Sequence, residues 1–208
     1  VLAQNVDQLP SFETPIVTYC AGGWRATIAM TALQALGWQD VRALEVGFST
    51  WAEDGFPVAE GTPEAVALNA AQPDADLVAK VDAALTAVKG LGSKWGIMSP
   101  DALNAMLAEN PDLIAIDVRK LSELEENGVI GLVDQEYIQI PLEEIISSQN
   151  LWPADKEAAI VIYCGSGHRS TMAMEILLSY GDSNVTSLSG GFGGWVSAGY
   201  PVVEYAAP

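Results

Sequence analysis

The sequence predicts a tandem α/β protein: each domain is a three-layer unit with a parallel sheet flanked by helices, and the first copy is incomplete. Three observations carry that expectation. Residues 15–58 align without a gap on residues 159–202, and 19 of those 44 positions are identical, so a unit has been duplicated. Each copy reads in the order strand, tight loop, helix, strand and glycine-rich turn, which builds parallel sheets. Half of the 208 residues are apolar and 17% are charged, a balance that supports packed cores rather than disorder.

Along the chain, the two copies share Tyr19/Tyr163, Cys20/Cys164, Gly23/Gly167, Arg25/Arg169, Trp51/Trp195 and Pro57/Pro201. Trp51 and Trp195, with Phe48 and Phe192, follow the glycine turns and read as core packing. Residues 59–73 are rich in Pro, Ala and Glu and read as linker. Residues 74–89 place Leu77, Val81, Ala84, Leu85 and Val88 on one helical face, with Gly90 as the stop. Ser99 and Pro100 are the expected N-cap and first residue of a helix through Leu103, Met106 and Leu107. Residues 113–118 (LIAIDV) and 137–140 read as strands. Ile160–Tyr163 is a short β-rich apolar run, as a buried parallel strand requires. Residues 169–180 carry Met172, Ala173, Ile176, Leu177 and Tyr180 at helical spacing, and Gly181 sits where a helix ends. Val185–Leu188 is the next strand, ending at Gly190-Gly191.

These elements divide the chain into residues 1–60, the second half of a first domain; 61–95, a linker with an amphipathic helix; and 96–206, a complete second domain. Val1 aligns with Ile145 of the second copy, so the front half of the first domain is expected to be missing. A fragment is the first reading of that asymmetry, and strands supplied by another chain the second.

The net charge is −18, from 27 acidic residues against 9 Lys and Arg. Such a field repels DNA and RNA, so a nucleic-acid partner is not expected. No uninterrupted apolar run approaches the roughly 18 residues that span a bilayer, so a soluble chain is expected. There is no basic segment followed by an apolar stretch at the start, but the true N-terminus reads as absent, which leaves the compartment open. The two cysteines, Cys20 and Cys164, lie 144 residues apart at equivalent places in the repeat. They read as two site thiols rather than one bridge. One histidine with two distant cysteines gives no metal-site spacing, and no cofactor is implied.

The segment Cys164-Gly165-Ser166-Gly167-His168-Arg169-Ser170 joins a strand to a helix. At such a junction main-chain N–H groups point inward and the helix dipole adds partial positive charge, making an anion cradle. A sulfur at its centre is expected to be held as the thiolate. Gly165 and Gly167 let the backbone curl, and Arg169 offers a fork suited to oxyanions.

Around this loop stand Asp117-Val118-Arg119, a turn with Glu123, Glu125 and Glu126, Ile140-Pro141-Leu142, the closing Gly190-Gly191-Phe192 with Trp195, and Gly199-Tyr200-Pro201-Val202. With this set the second domain resembles the rhodanese homology domain over its whole length, and the first resembles that domain's second half. One departure is Gly128-Val129-Ile130, where many members have Gly-His-Ile; it touches a local hydrogen bond rather than the chemistry. The resemblance implies a sulfurtransferase with a two-step covalent relay. Cys164 takes a sulfane sulfur from a small sulfur-containing anion such as thiosulfate, or from a persulfide, and passes it to cyanide or a thiol, with a protein acceptor or a homo-oligomer as further partners. Both loops have four residues between Cys and Arg, the sulfurtransferase length; related phosphatases and arsenate reductases have five. Ser166, His168 and Ser170 line or brace the loop, and Asp117 with Arg119 reads as a structural ion pair behind it. Cys20, Gly23 and Arg25 form a second site of little expected activity. The alternatives are a non-catalytic sulfur carrier or sensing module and, further off, a phosphatase.

Overall fold

Short β-branched runs, each followed by a glycine loop, set the order of elements. The computed structural model describes residues 2–61, 70–92, 94–132 and 135–206. The chain divides into two units, Val1–Thr86 and Ala87–Pro208. Most of the expected linker, residues 62–69, lies outside the described residues.

The first unit contains β1 (Ile16–Thr18), α1 (Trp24–Ala35), β2 (Val41–Ala43) and α2 (Gly47–Glu53). The boundary between units falls within α3 (Ala75–Gly90). β1 and β2 are parallel, with Ile16 opposite Val41, and α1 buries Ala26, Ile28, Ala32 and Leu33. Asp74 caps α3, its Oδ1 accepting from the N–H groups of Asp76 at 3.0 Å and Leu77 at 3.1 Å. Val81, Ala84, Leu85 and Val88 are buried as their spacing requires, whereas Leu77, expected on the same face, is exposed in the first turn.

The second unit runs β3 (Ile97–Met98), α4 (Pro100–Glu109), β4 (Ile114–Asp117), α5 (Leu121–Asn127), β5 (Val129–Ile130), β6 (Glu136–Gln139), β7 (Ile160–Tyr163), α6 (His168–Ser179), β8 (Val185–Leu188), α7 (Gly191–Ser197) and β9 (Val202–Val203). Five strands form one sheet in the order β3-β8-β7-β4-β6, every pair parallel, while β5 and β9 make an antiparallel ribbon. The fold is α/β, a parallel sheet flanked by helices. Ser99 caps α4, accepting the Ala102 N–H at 3.2 Å, with Pro100 opening the helix. Leu103, Leu113, Ala115, Val161, Tyr163, Leu188 and Trp195 belong to one buried cluster. Val129, the departure noted in the sequence, is buried in the ribbon.

The repeat is exact in its elements and unequal in its burial. α1 and α6 each begin four residues after the cysteine, and each is followed by a strand and a short helix at the same spacing. Yet Tyr19 is 65% exposed where Tyr163 is fully buried, and Phe48 is 41% exposed where Phe192 is at 9%. The core reading holds for Phe192 and Trp195 and is corrected for Phe48, which is exposed, and Trp51, which is half-buried against Phe56. The difference goes with the sheet neighbours. β7 lies between β4 and β8, whereas β1 pairs with β2 alone among the described residues.

Glu175 on α6 is 5% exposed, and its Oε2 has no hydrogen-bond partner among the described residues. Burial pushes its pKa from 4.5 up to about 8. The folded chain therefore keeps this carboxyl protonated over a range in which the unfolded chain ionises it. That contribution to stability is complete below the unfolded value and is lost as pH rises toward the folded one. Glu175→Gln is expected to match the wild type near pH 4 and to exceed it by on the order of a few kcal/mol at pH 8, read as urea-unfolding free energies at both pH values.

Candidate active site

Cys164 follows directly on β7 and is fully buried. Its Sγ accepts the Gly167 N–H at 3.0 Å and lies 3.6 Å from the Ser170 hydroxyl. Gly167, with φ of 99°, turns the chain into α6 through a conformation that favours glycine. The loop is clamped from its carbonyl side: the Phe192 N–H donates to the Cys164 carbonyl at 2.6 Å, and the Gly193 N–H to the Gly165 carbonyl at 2.9 Å. With two carbonyls held by the first turn of α7, the amide side of the loop is left for the sulfur. Gly191 makes the approach feasible, since a Cβ there would collide with the Cys164 carbonyl oxygen.

Ser170 has one proton and two acceptors, the Gly167 carbonyl at 2.8 Å and the sulfur. Thr171 also donates to that carbonyl, at 2.9 Å, and Ser187 donates to the Ser170 oxygen at 2.9 Å. Ser170 can therefore swing its proton to a charged sulfur while the carbonyl stays satisfied. Ser187 was not legible as a site residue, because only the sheet brings β8 beside the start of α6. At the crown, Ser166 is exposed, while Gly165 and His168 are half-buried.

Arg169 has a partner that the sequence does not reveal. Its fork is engaged by Glu123, with Nη1 donating to Oε2 at 2.7 Å and Nη2 to Oε1 at 2.6 Å, and each side chain about a third exposed. The guanidinium, with help from the Lys120 N–H, holds the Glu123 pKa down to about 2 against its partial burial. Arg169 is raised in turn, first by Glu123 and to a lesser degree by the charge on Cys164. A side chain at position 165 would meet Arg169 Nη2 at 3.3 Å and Glu123 Oε1 at 3.6 Å, so the ion pair stands against the loop itself. The sequence placed Glu123 in an acidic turn, but nothing local reveals its partner 46 residues away.

Asp117 and Arg119 form a buried pair at 2.7 Å. Arg119 also donates to the Gly128 carbonyl at 2.9 Å and lies 4.2 Å over the Phe192 ring. The pair thus supports the residue that clamps Cys164.

The Cys20 loop repeats this construction. The Gly23 N–H donates to Cys20 Sγ at 3.1 Å, and the Phe48 N–H to the Cys20 carbonyl at 2.7 Å. Burial raises the Cys20 thiol, but the amides of Ala26, Gly22, Gly23 and Arg25 outweigh it and leave the pKa lowered. Ala26 stands where Ser170 supplies a hydroxyl, and Arg25 is exposed. Among the described residues no group of three or more His, Cys, Asp or Glu is placed to hold a metal, and no helix is long and apolar enough to cross a membrane.

The family model of the rhodanese-like domain matches residues 2–54 and 99–198. A sulfurtransferase of Allochromatium vinosum is 31% identical over 103 residues, taking in 50% of this chain and 90% of that protein. The thiosulfate sulfurtransferase YnjE of Escherichia coli is 22% identical over 220 residues, or 89% of this chain and 45% of its own. The crystal structure of a thiosulfate sulfurtransferase from Pseudomonas aeruginosa gives a TM-score of 0.46 at 22% identity, over 99% of this chain and 36% of that one. The chain thus spans less than half the length of these two longer proteins.

Breaking the buried pair behind the loop should be costly, because one charge is left unpaired in the core. Arg119→Met is expected to destabilise the second unit by about 3–5 kcal/mol in urea unfolding. Joining it with Asp117→Leu should recover much of that loss, since no lone charge then remains.

Proposed function

The chain belongs to the rhodanese-like domain family, and on that premise we propose that it is a sulfurtransferase working through a persulfide on Cys164. One observation carries the reading: a cysteine sulfur that accepts a loop amide at 3.0 Å, at the turn from a parallel strand into a helix. The four residues between Cys164 and Arg169 support sulfur rather than phosphoryl transfer, because the ring they make is small for a tetrahedral oxyanion.

In the first step the Cys164 thiolate attacks the outer sulfur of a thiosulfate or persulfide donor. A new S–S bond forms, the donor's S–S bond breaks, and sulfite or a thiolate leaves with the electron pair. The Gly167 amide and the Ser170 hydroxyl hold the charge on the loop sulfur. In the second step cyanide or an acceptor thiolate attacks the outer sulfur of the Cys164 persulfide, and the Cys164 thiolate leaves. Arg169 stands at the rim, Asp117 and Arg119 position the clamp, and His168 and Ser166 wall the opening. No resident metal or cofactor enters either step.

A second reading, a sulfur carrier that serves one partner protein, is favoured by the complete burial of Cys164, which would protect a persulfide from small thiols. Cys20 is proposed as a subsidiary sulfur site, since its cradle lacks the hydroxyl that Ser170 provides.

Incubation with thiosulfate or glutathione persulfide should add one sulfur mass to Cys164, and cyanide should remove it with repeated turnover. Cys164→Ser is expected to abolish that turnover, and Cys20→Ser to leave it within about twofold of wild type. A mass adduct without turnover on small acceptors would favour the carrier reading, and full activity in Cys164→Ser would refute both.

A further inference from the structure

Ser187 is a polar side chain in a place that suits an apolar one. It lies in β8, between β3 and β7 in the sheet, and is fully buried along with Val185 and Leu188 of the same strand. A hydroxyl buried there costs stability unless it is hydrogen-bonded. Its hydroxyl partners all belong to the turn from Cys164 into α6: the Ser170 oxygen at 2.9 Å, the Thr171 oxygen at 3.2 Å and the Gly167 carbonyl at 3.5 Å.

Protons and lone pairs at this turn do not balance without the sulfur. A carbonyl oxygen has two lone pairs, and Thr171 brings a donor to each on Gly167, its N–H at 3.1 Å and its hydroxyl at 2.9 Å. The Ser170 proton is a third donor at that carbonyl, 2.8 Å away, and its other acceptor is the Cys164 sulfur at 3.6 Å. Ser187 occupies the acceptor side of the Ser170 oxygen. A hydroxyl that accepts one hydrogen bond donates a stronger one, because the chain of dipoles polarises.

We propose that Ser187 is a positioning residue for Cys164: by donating to Ser170, it directs the Ser170 proton onto the sulfur when the sulfur is charged. This rests on the sulfurtransferase reading of Cys164 and adds a buried hydroxyl chain to it. The thiolate attacks the outer sulfur of thiosulfate, an S–S bond forms, and the donor's S–S bond breaks with its electron pair leaving on sulfite. The remaining negative charge then sits on the outer sulfur of the Cys164 persulfide, and the Ser170 proton returns to the Gly167 carbonyl. When an acceptor takes the outer sulfur, the charge comes back to Cys164 and the proton swings again. The repeat offers an internal comparison. The first copy keeps Thr27, whose N–H and hydroxyl reach the Gly23 carbonyl at 3.0 and 3.3 Å, but carries Ala26 and Ala43 where the second has Ser170 and Ser187. The two serines are absent together, as members of one chain would be.

The test follows sulfur uptake from thiosulfate in a single turnover, as the mass adduct on Cys164 of the full chain, over a series of pH values. The charged groups around the sulfur are Arg169 with Glu123, the Asp117–Arg119 pair under the clamp, and His168 at the crown. All are common to the wild type and the variants, so a difference between profiles reports the hydroxyls. Ser187→Ala should slow uptake about twofold to threefold on the acid limb and match or exceed the wild type at the alkaline plateau. A less stabilised thiolate is scarcer but more nucleophilic. Discharge of the persulfide by cyanide, in which that thiolate leaves, should slow by a similar factor at every pH. In a Ser170→Ala background, Ser187→Ala should alter neither step further. A uniform fall in uptake at all pH values, an unchanged profile, or an undiminished effect in the Ser170→Ala background would overturn the proposal. A wild type that takes up no sulfur from thiosulfate or from glutathione persulfide would instead remove the sulfurtransferase reading, and the hydroxyl chain with it.

Discussion

The site depends on a main-chain clamp. Two N–H groups from the first turn of α7 take the carbonyls of Cys164 and Gly165 at 2.6 and 2.9 Å. A peptide unit whose carbonyl is held on one side presents its N–H on the other, so the clamp fixes the direction of the Gly165 and Ser166 amides, one turn before the Gly167 amide that meets the sulfur. The approach is closer than any side chain at position 191 would permit, which makes glycine at that position a geometric requirement, as Gly47 is in the first copy. Both copies of the repeat keep the clamp, with Phe48 taking the Cys20 carbonyl at 2.7 Å. What was duplicated is a pattern of hydrogen bonds around a sulfur as much as a run of residues.

Behind the clamp, the two copies differ in what supports them. In the second, Phe192 lies under the Arg119 guanidinium, which is fixed by Asp117 at the end of β4 and by the Gly128 carbonyl. A guanidinium over a ring combines cation–π attraction with a rigid planar contact. In the first, Phe48 has no such roof, and faces solvent beside Tyr19 at a centroid distance of 6.2 Å. The Cys20 cradle is assembled from its own loop amides and the start of α2. The loop amides are enough to lower the pKa of its thiol, while among the described residues β1 pairs with β2 alone.

The elements that were legible in the sequence are those whose signal is local. Ile160–Tyr163 and Val185–Leu188 coincide with their predicted strands, the first because a strand buried on both faces is a continuous apolar run bounded by turn residues. Ser99 and Pro100 announced α4 through a cap that involves only neighbours. The Cys164 loop was readable because cysteine, two glycines and arginine occur there in one short segment. Burial was less legible. Tyr19 and Tyr163 occupy the same place in the repeat, and their opposite exposures follow from a neighbouring strand that neither residue encodes. The Arg169–Glu123 contact was illegible for the same reason. Its two halves lie on helices that only the sheet brings together.

That contact changes how an acidic protein handles an anion. Negative charge on a sulfur can be held by a mobile cation or by fixed dipoles. A cation attracts counterions and competing carboxylates, and in a chain with three times as many acids as bases it is readily paired off. Amides cannot be neutralised in this way, and an amide fixed in a turn needs no rearrangement when charge develops. Arg169 illustrates the first case, with its fork closed on Glu123, and the Gly167 amide the second. The dipoles act over a few ångströms, well inside a screening length of about 8 Å, so the global charge weighs on the approach of a donor more than on the loop sulfur. Arg169 ties α6 to α5 through Glu123 while its charge still reaches the Cys164 sulfur.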